Sequence, residues 1–259
     1  MITKSSPIAV VDSGMGGITV LKKLHRIMPN ENYIYFGDSA NSPYGTKTKE
    51  QIRDITVALV EKMMQRGAKS VVIACNTATS AAAETIRSKY PDYPLVGIEP
   101  ALKPAALSSN WPRVLVLATP LTLREEKFNK LMARFEGEAE FIKLPAPELV
   151  GFVERGEADS AECREYLENI LEPYADNKVD AVVLGCTHFP FARRPIQEIL
   201  GDEVLVFEGS MGAAKQCQRL LADRDLLNDS QQEGTISFEN SDESKIERSI
   251  EMFGIEVAE

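Results

Sequence analysis

The stretch VVLGCTHFPF (182–191) starts apolar and turns abruptly polar. Val182, Val183 and Leu184 read as the end of a buried strand. Cys186, Thr187 and His188 follow, and Pro190 suits the first turn of a helix. The same grammar occurs 111 residues earlier in VVIACNTATS (71–80), where Cys75 precedes Asn76 and Thr77. Both stretches predict a strand that stops at a cysteine and a helix that begins beside it.

The rest of the chain repeats this alternation. Short β-branched runs occur at IAVVD (8–12), YIYFGD (33–38), SVVIACN (70–76), PLVGIE (94–99), RVLVLAT (113–119), DAVVLGC (180–186) and EVLVF (203–207). Segments such as KEQIRDITVALVEKMMQRGA (49–68) and SAECREYLENILEPYA (160–175) separate them, with apolar residues at helical spacing. The pattern predicts an α/β protein with mostly parallel sheets flanked by helices, either one long sheet or two smaller ones. The polar, turn-rich segment 222–242 leads into a last strand, TISFE (235–239). A final helix over SDESKIERSIEMFG (241–254) would be capped by Ser241 or Ser244.

Composition narrows the function classes. The 259 residues carry a net charge of −10 and no Lys/Arg block, so the electrostatic footprint of a nucleic-acid binder is missing. The only apolar run near the N-terminus, IAVV, is too short for a signal peptide or a membrane span, which leads to a cytoplasmic expectation without a membrane partner. Cys75, Cys163, Cys186 and Cys217 show neither disulfide nor zinc spacing, so free thiols and no metal are expected. Cys163 and Cys217 fall in helical patterns and read as packing residues.

Ligands of parallel α/β sheets bind beyond the carboxyl ends of strands. A cysteine there is either a small packing residue or a thiol whose anion is favoured by the helix N-terminus. Asn76, Thr77 and Thr187 read equally as caps or as ligand contacts. The turn after the first strand, DSGMGG (12–17), lacks the third glycine of a dinucleotide loop, and no phosphate-binding G-x-x-x-x-G-K motif occurs. Asp12 and Ser13 can cap a helix or handle a proton and an ammonium. Tyr44 and Gly45 sit in a dense turn cluster, YFGDSANSPYGTKTKEQI (35–52), able to present backbone N–H groups to a carboxylate. Thr119 and Thr122 bind a carboxylate or cap a helix over LREEKFNKLMARF (123–135). Glu154 alone reads as a solvated carboxylate.

The segments VDSGMGG (11–17), YFGDSANSPYGTK (35–47), ACNTATSAA (74–82), IEPALKPA (98–105), LATPLT (117–122), LVGFVE (149–154) and LGCTHFP (184–190) together resemble the glutamate racemase family, within the aspartate/glutamate racemase superfamily. The resemblance implies two similar α/β domains, 1–97 plus 208–259 and 98–207, with the active site in the cleft between them. It implies a cofactor-independent isomerase that interconverts L- and D-glutamate for peptidoglycan synthesis, and often a homodimer. Cys75 and Cys186 would be the two bases, Asp12 and His188 would assist them, and Glu154 would hold His188. Ser13, Tyr44, Gly45, Asn76, Thr77, Thr119, Thr122 and Thr187, with Asp12 and His188, would bind the small-molecule substrate. The rival readings are a racemase of aspartate or another acidic amino acid, a cysteine-nucleophile hydrolase built on Cys186 and His188, and a non-enzymatic binder of small acidic ligands.

Overall fold

The computed structural model describes residues 2–176 and 178–255. The chain forms two compact units: residues up to Glu99 with Ser210–Ile255, and Pro100–Gly209. Both junctions fall two residues beyond the sequence-based boundaries of 97/98 and 207/208. Ile98 N still donates to Ile73 O, which keeps that residue with the first sheet, and Glu208 still pairs with Leu184 in the second. Residues 256–259, assigned to the first domain from sequence, lie outside the described residues.

In the first unit the strands are β1 (Ile8–Asp12), β2 (Tyr33–Gly37), β3 (Ser70–Ile73) and β4 (Leu95–Gly97). The second unit holds β5 (Arg113–Ala118), β6 (Glu140–Pro145), β7 (Ala181–Leu184) and β8 (Leu205–Glu208); β9 (Ile236–Asn240) returns to the first. The first sheet runs β4-β3-β1-β2-β9 and the second β6-β5-β7-β8, with every neighbouring pair parallel. Strands β1, β2 and β3 are buried at every position, as expected when helices cover both faces of a parallel sheet. In the second unit alternate residues of β5 feed two separate cores. Leu115 and Leu117 pack with Val182 and Leu184, whereas Val114 and Val116 pack with Ala181 and Val183.

The two sheets share one strand order. In each, the first strand has the second on one side and the third, then the fourth, on the other: β2-β1-β3-β4 and β6-β5-β7-β8. The chain therefore reverses direction across the sheet between β1 and β3, and again between β5 and β7. Such switch points open a crevice at the carboxyl ends of the two strands.

Some local expectations are corrected. Strand β6 went unread because it is an edge strand with no buried residue, with Glu140 and Lys143 breaking its apolar pattern and Pro145 ending it. The helix expected over 123–135 is two helices, Pro120–Arg124 and Glu126–Ala133, separated by Glu125 in an extended conformation. Neither Ser241 nor Ser244 caps the last helical segment. Asp242 does so, accepting from both Ser244 N and Ser244 Oγ, and the helix proper is Ile246–Gly254. Among the described residues no helix is long and apolar enough to cross a membrane.

Candidate active site

Cys75 lies two residues past the end of β3, at the first switch point, and is itself the N-cap of the helix Asn76–Lys89. Its Sγ accepts from Ala78 N at 3.4 Å and from Ser13 Oγ at 3.4 Å. The cap reading of Asn76 and Thr77 is thereby overturned: the sulfur holds the cap position, and both residues are in the first helical turn. A thiolate there faces the backbone N–H groups of the first helical turn and the positive end of the helix dipole.

Asp12 ends β1 on the other side of the same switch point. It is 3 % exposed, and its Oδ2 accepts from Gly14 N at 3.1 Å. The following turn fits only because residue 17 is glycine: a Cβ there would lie 2.7 Å from Asp12 Cβ and 2.8 Å from Ala74 Cβ. Gly17, not Asp12 or Ser13, occupies the N-cap of the helix Ile18–Ile27, and no side chain caps it. Asp12 and Ser13 are thus released from the capping role that was their alternative reading.

The loop after β2 makes two 3-10 turns, Ser39–Asn41 and Tyr44–Thr46. Tyr44 is buried and donates from its hydroxyl to Asp38 Oδ2 at 2.7 Å. Burial, then the bond to Asp38 and the charges of Asp38, Cys75 and Asp12, push its phenol well above the ordinary range. The Tyr44–Thr46 turn packs against the helix Asn76–Lys89, which Cys75 caps. The Tyr44 hydroxyl proton is committed to Asp38. Gly45 has no heavy atom within 4 Å of where a Cβ would stand. Asn76 is buried, and its side-chain Oδ1 has no hydrogen-bond partner among the described residues. Asp38 was read only as part of a turn; its distance of six residues from Tyr44 carries no periodic signal.

The second unit repeats the placement with different chemistry. Cys186 lies two residues past the end of β7, again beside the switch point. Its Sγ is 3.6 Å from His188 Nδ1, and His188 Nε2 is 3.0 Å from Glu154 Oε1. His188 is 3 % exposed. Burial alone lowers an imidazole pKa, but here the hydrogen bonds and charges of Cys186 and Glu154 outweigh it and hold His188 well above its usual value. Glu154 reaches this position from the helix Leu149–Arg155, which ends at Gly156 with φ 78°. Its reading as a plain solvated carboxylate is corrected.

Thr187 is buried, but it does not hold the N-cap position of the next helical element. The chain goes directly into a 3-10 turn, Phe189–Ala192, with His188 at its N-cap and Pro190 in its first turn, and only then into the helix Arg193–Leu200. Thr119 does cap, accepting from Thr122 N at 3.3 Å, and the two hydroxyls are 3.0 Å apart. Cys163 and Cys217 are fully buried, and desolvation pushes their thiols up to about 11 and about 12. Among the described residues no group of three or more His, Cys, Asp or Glu is placed to hold a metal.

The model of the family described as Asp/Glu/Hydantoin racemase matches residues 8–217. Glutamate racemase of Clostridium perfringens is 45% identical over 93% of this chain and 93% of its own length. The chain belongs to the glutamate racemase family. It is accordingly an isomerase, an amino-acid racemase. Two family members of known structure bear on the site. Glutamate racemase from Francisella tularensis subsp. tularensis SCHU S4, in complex with D-glutamate, superposes with a TM-score of 0.83 at 29% identity, covering 96% of this chain and 94% of that one. The Escherichia coli glutamate racemase, in complex with L-glutamate and the activator UDP-MurNAc-ala, gives 0.77 at 33% identity, covering 84% and 83%. The family's fold is the one described above: parallel sheets flanked by helices, in two units.

Proposed function

We propose that the protein interconverts L- and D-glutamate by a two-base mechanism in which Cys75 and Cys186 are the bases. The observation that carries this reading is the equivalence of the two cysteines. Each follows the third strand of the same strand order, by the same two residues, at a switch point. Two family members hold D-glutamate and L-glutamate respectively.

One cysteine begins as thiolate and takes the α-proton, leaving the C–H electron pair on the α-carbon. The other begins as thiol and gives its proton to the opposite face. The first is then a thiol and the second a thiolate, and the reverse reaction uses them in exchanged roles. No step needs an oxidant or a further reactant. Ser13 Oγ–H and the helix N-terminus favour the Cys75 thiolate. The His188 imidazolium, held by Glu154, favours the Cys186 thiolate and can return its proton. Asp12 serves proton handling on the Cys75 side. Backbone N–H groups around Tyr44 and Gly45 and the hydroxyls of Thr77, Thr119, Thr122 and Thr187 suit the carboxylates. Asn76 Oδ1 suits the ammonium, and preorganised donors stabilise charge as it develops on the substrate. D-glutamate made here would supply peptidoglycan synthesis.

The test is to incubate each pure enantiomer with the protein in heavy water, following optical rotation and α-deuterium. Racemisation with deuterium entering the product supports the reading, and its loss in both Cys75→Ala and Cys186→Ala supports the base assignment. An inactive wild-type protein sinks the function; full activity in either variant sinks the two-base assignment. Initial rates on aspartate measured alongside decide between the two acidic substrates. The chain Cys186–His188–Glu154 also has the composition of a cysteine-hydrolase triad. That second reading requires an acyl-enzyme on Cys186 and unchanged turnover in Cys75→Ala.

A further inference from the structure

We infer that Asn240 and Ser241, at the end of β9, are positioning residues that set the substrate loop following β2. The inference rests on the racemase reading and adds to it a part played by the C-terminal strand. Along β9 only Asn240 is buried; the preceding residues are half-buried or exposed. The residue this strand buries most completely is a polar one, and its amide is directed at the loop.

Asn240 pairs with Gly37, the last residue of β2. Its Nδ2 donates to Ser39 Oγ at 3.0 Å, and its Oδ1 accepts from Ser39 N at 3.3 Å and Asp242 N at 3.0 Å. Ser241 N donates to Gly37 O, and Ser241 Oγ accepts from Ala40 N, both at 2.9 Å. On the other side Asp38 N donates to Asp12 O at 2.9 Å. The base of the loop is thus held between the strand that carries Asp12 and the strand that carries Asn240. A side chain at residue 37 would close this gap, since a Cβ would lie 2.6 Å from Asn240 Nδ2 and 2.5 Å from Gly14 O.

From that base Asp38 reaches forward. Its Oδ1 accepts from Asn41 Nδ2 at 3.0 Å and its Oδ2 from the Tyr44 hydroxyl. The orientation fixed at 39–40 is therefore passed to Tyr44 and Gly45, which the proposed function places against a substrate carboxylate. Neither Asn240 nor Ser241 bonds to Cys75, Ser13 or Ala78 in the contacts above. Their loss should weaken substrate binding and leave the thiol as it is.

The experiment compares Asn240→Ala, Ser241→Ala and Ser241→Thr with wild type in steady-state racemisation, thermal unfolding and Cys75 alkylation by iodoacetamide. Losing one or two such hydrogen bonds is worth about tenfold in affinity. The expected result is a KM for glutamate raised about tenfold in the two alanine variants. Their kcat and Cys75 alkylation rate stay within about twofold, and Ser241→Thr, which keeps the hydroxyl, stays near wild type. Should Asn240→Ala fail to fold, Ser241→Ala and its threonine rescue decide the matter. An unchanged KM in a folded alanine variant overturns the inference. So does a fall in kcat that follows lost thermal stability, or a slowed Cys75 alkylation. Wild-type protein without racemase activity overturns the racemase reading itself, and this inference with it.

Discussion

Ser13 Oγ donates a hydrogen bond to Cys75 Sγ at 3.4 Å, across the gap between the ends of β1 and β3. The donor matters only to the thiolate, because a thiol gains little from an added O–H donor. A hydrogen bond to a charged partner is worth about 1.5–3 kcal/mol. Ser13→Ala should therefore slow alkylation of Cys75 by roughly tenfold at neutral pH, and lower kcat/KM for racemisation of both enantiomers by one common factor. Ser13→Thr should restore both. Unchanged alkylation in the alanine variant would remove Ser13 from the thiolate's support.

The four cysteines should divide two and two. Cys163 and Cys217 are fully buried with thiols pushed up to about 11 and about 12, whereas Cys75, 7% exposed, and Cys186, half-buried, stand at strand ends where their thiolates are supported. Iodoacetamide at pH 8 should label two cysteines in the native protein and all four after denaturation, as read by peptide mass spectrometry. Rapid native labelling of Cys163 or Cys217 would contradict the packing assigned to them.

His188, held between Cys186 and Glu154, makes a pH-dependent contribution to stability. The folded-state pKa of His188 is raised, so the folded protein holds this proton more tightly than the unfolded chain. Its contribution is fully present below the unfolded value of about 6.5, and is lost as pH rises through the folded value. The difference in Tm between wild type and His188→Asn should be largest below about pH 6.5 and shrink above it. Glu154→Gln removes a charge that keeps the imidazolium and should cost on the order of tenfold in turnover. A pH-independent difference in Tm would refute the charged state of His188.

Lys69 and Glu31 form a buried ion pair at 2.5 Å, with side chains 0% and 2% exposed. Lys69 Nζ also serves the carbonyls of Lys4 and Leu226, and Glu31 Oε1 accepts from Asn228 N. Lys69→Met leaves Glu31 as an uncompensated buried charge, a loss of about 3–5 kcal/mol. Adding Glu31→Gln should recover part of it, measured by urea unfolding. Equal stability of Lys69→Met and wild type would show that the pair is dispensable.

The central strands were legible because continuous β-branched runs have one reading when bounded by turns, and the paired cysteines stood out because their surroundings repeat. Edge strand β6 was not legible, since exposure lets charged residues break its pattern. The side chain that caps the Asn76–Lys89 helix was missed for a different reason. Cysteine is a rare cap, so Asn76 and Thr77 drew the reading that belongs to Cys75. Contacts such as Asn240 with Ser39 join residues 201 apart in sequence and depend on sheet order, which no local pattern encodes.

The matched strand orders place Cys75 and Cys186 alike, each two residues past its strand, but their helpers differ. Ser13 and the helix N-terminus attend one sulfur; an imidazole backed by a carboxylate attends the other. Mirror-image substrates have equal free energies in water, so the equilibrium constant of their interconversion is one. For the proposed reaction the Haldane relation then makes kcat/KM identical for the two enantiomers, however unlike the two sulfurs are. The asymmetry of the helpers can appear only as kcat and KM rising or falling together between enantiomers. A substitution beside one cysteine must therefore change the efficiency of both directions by the same factor.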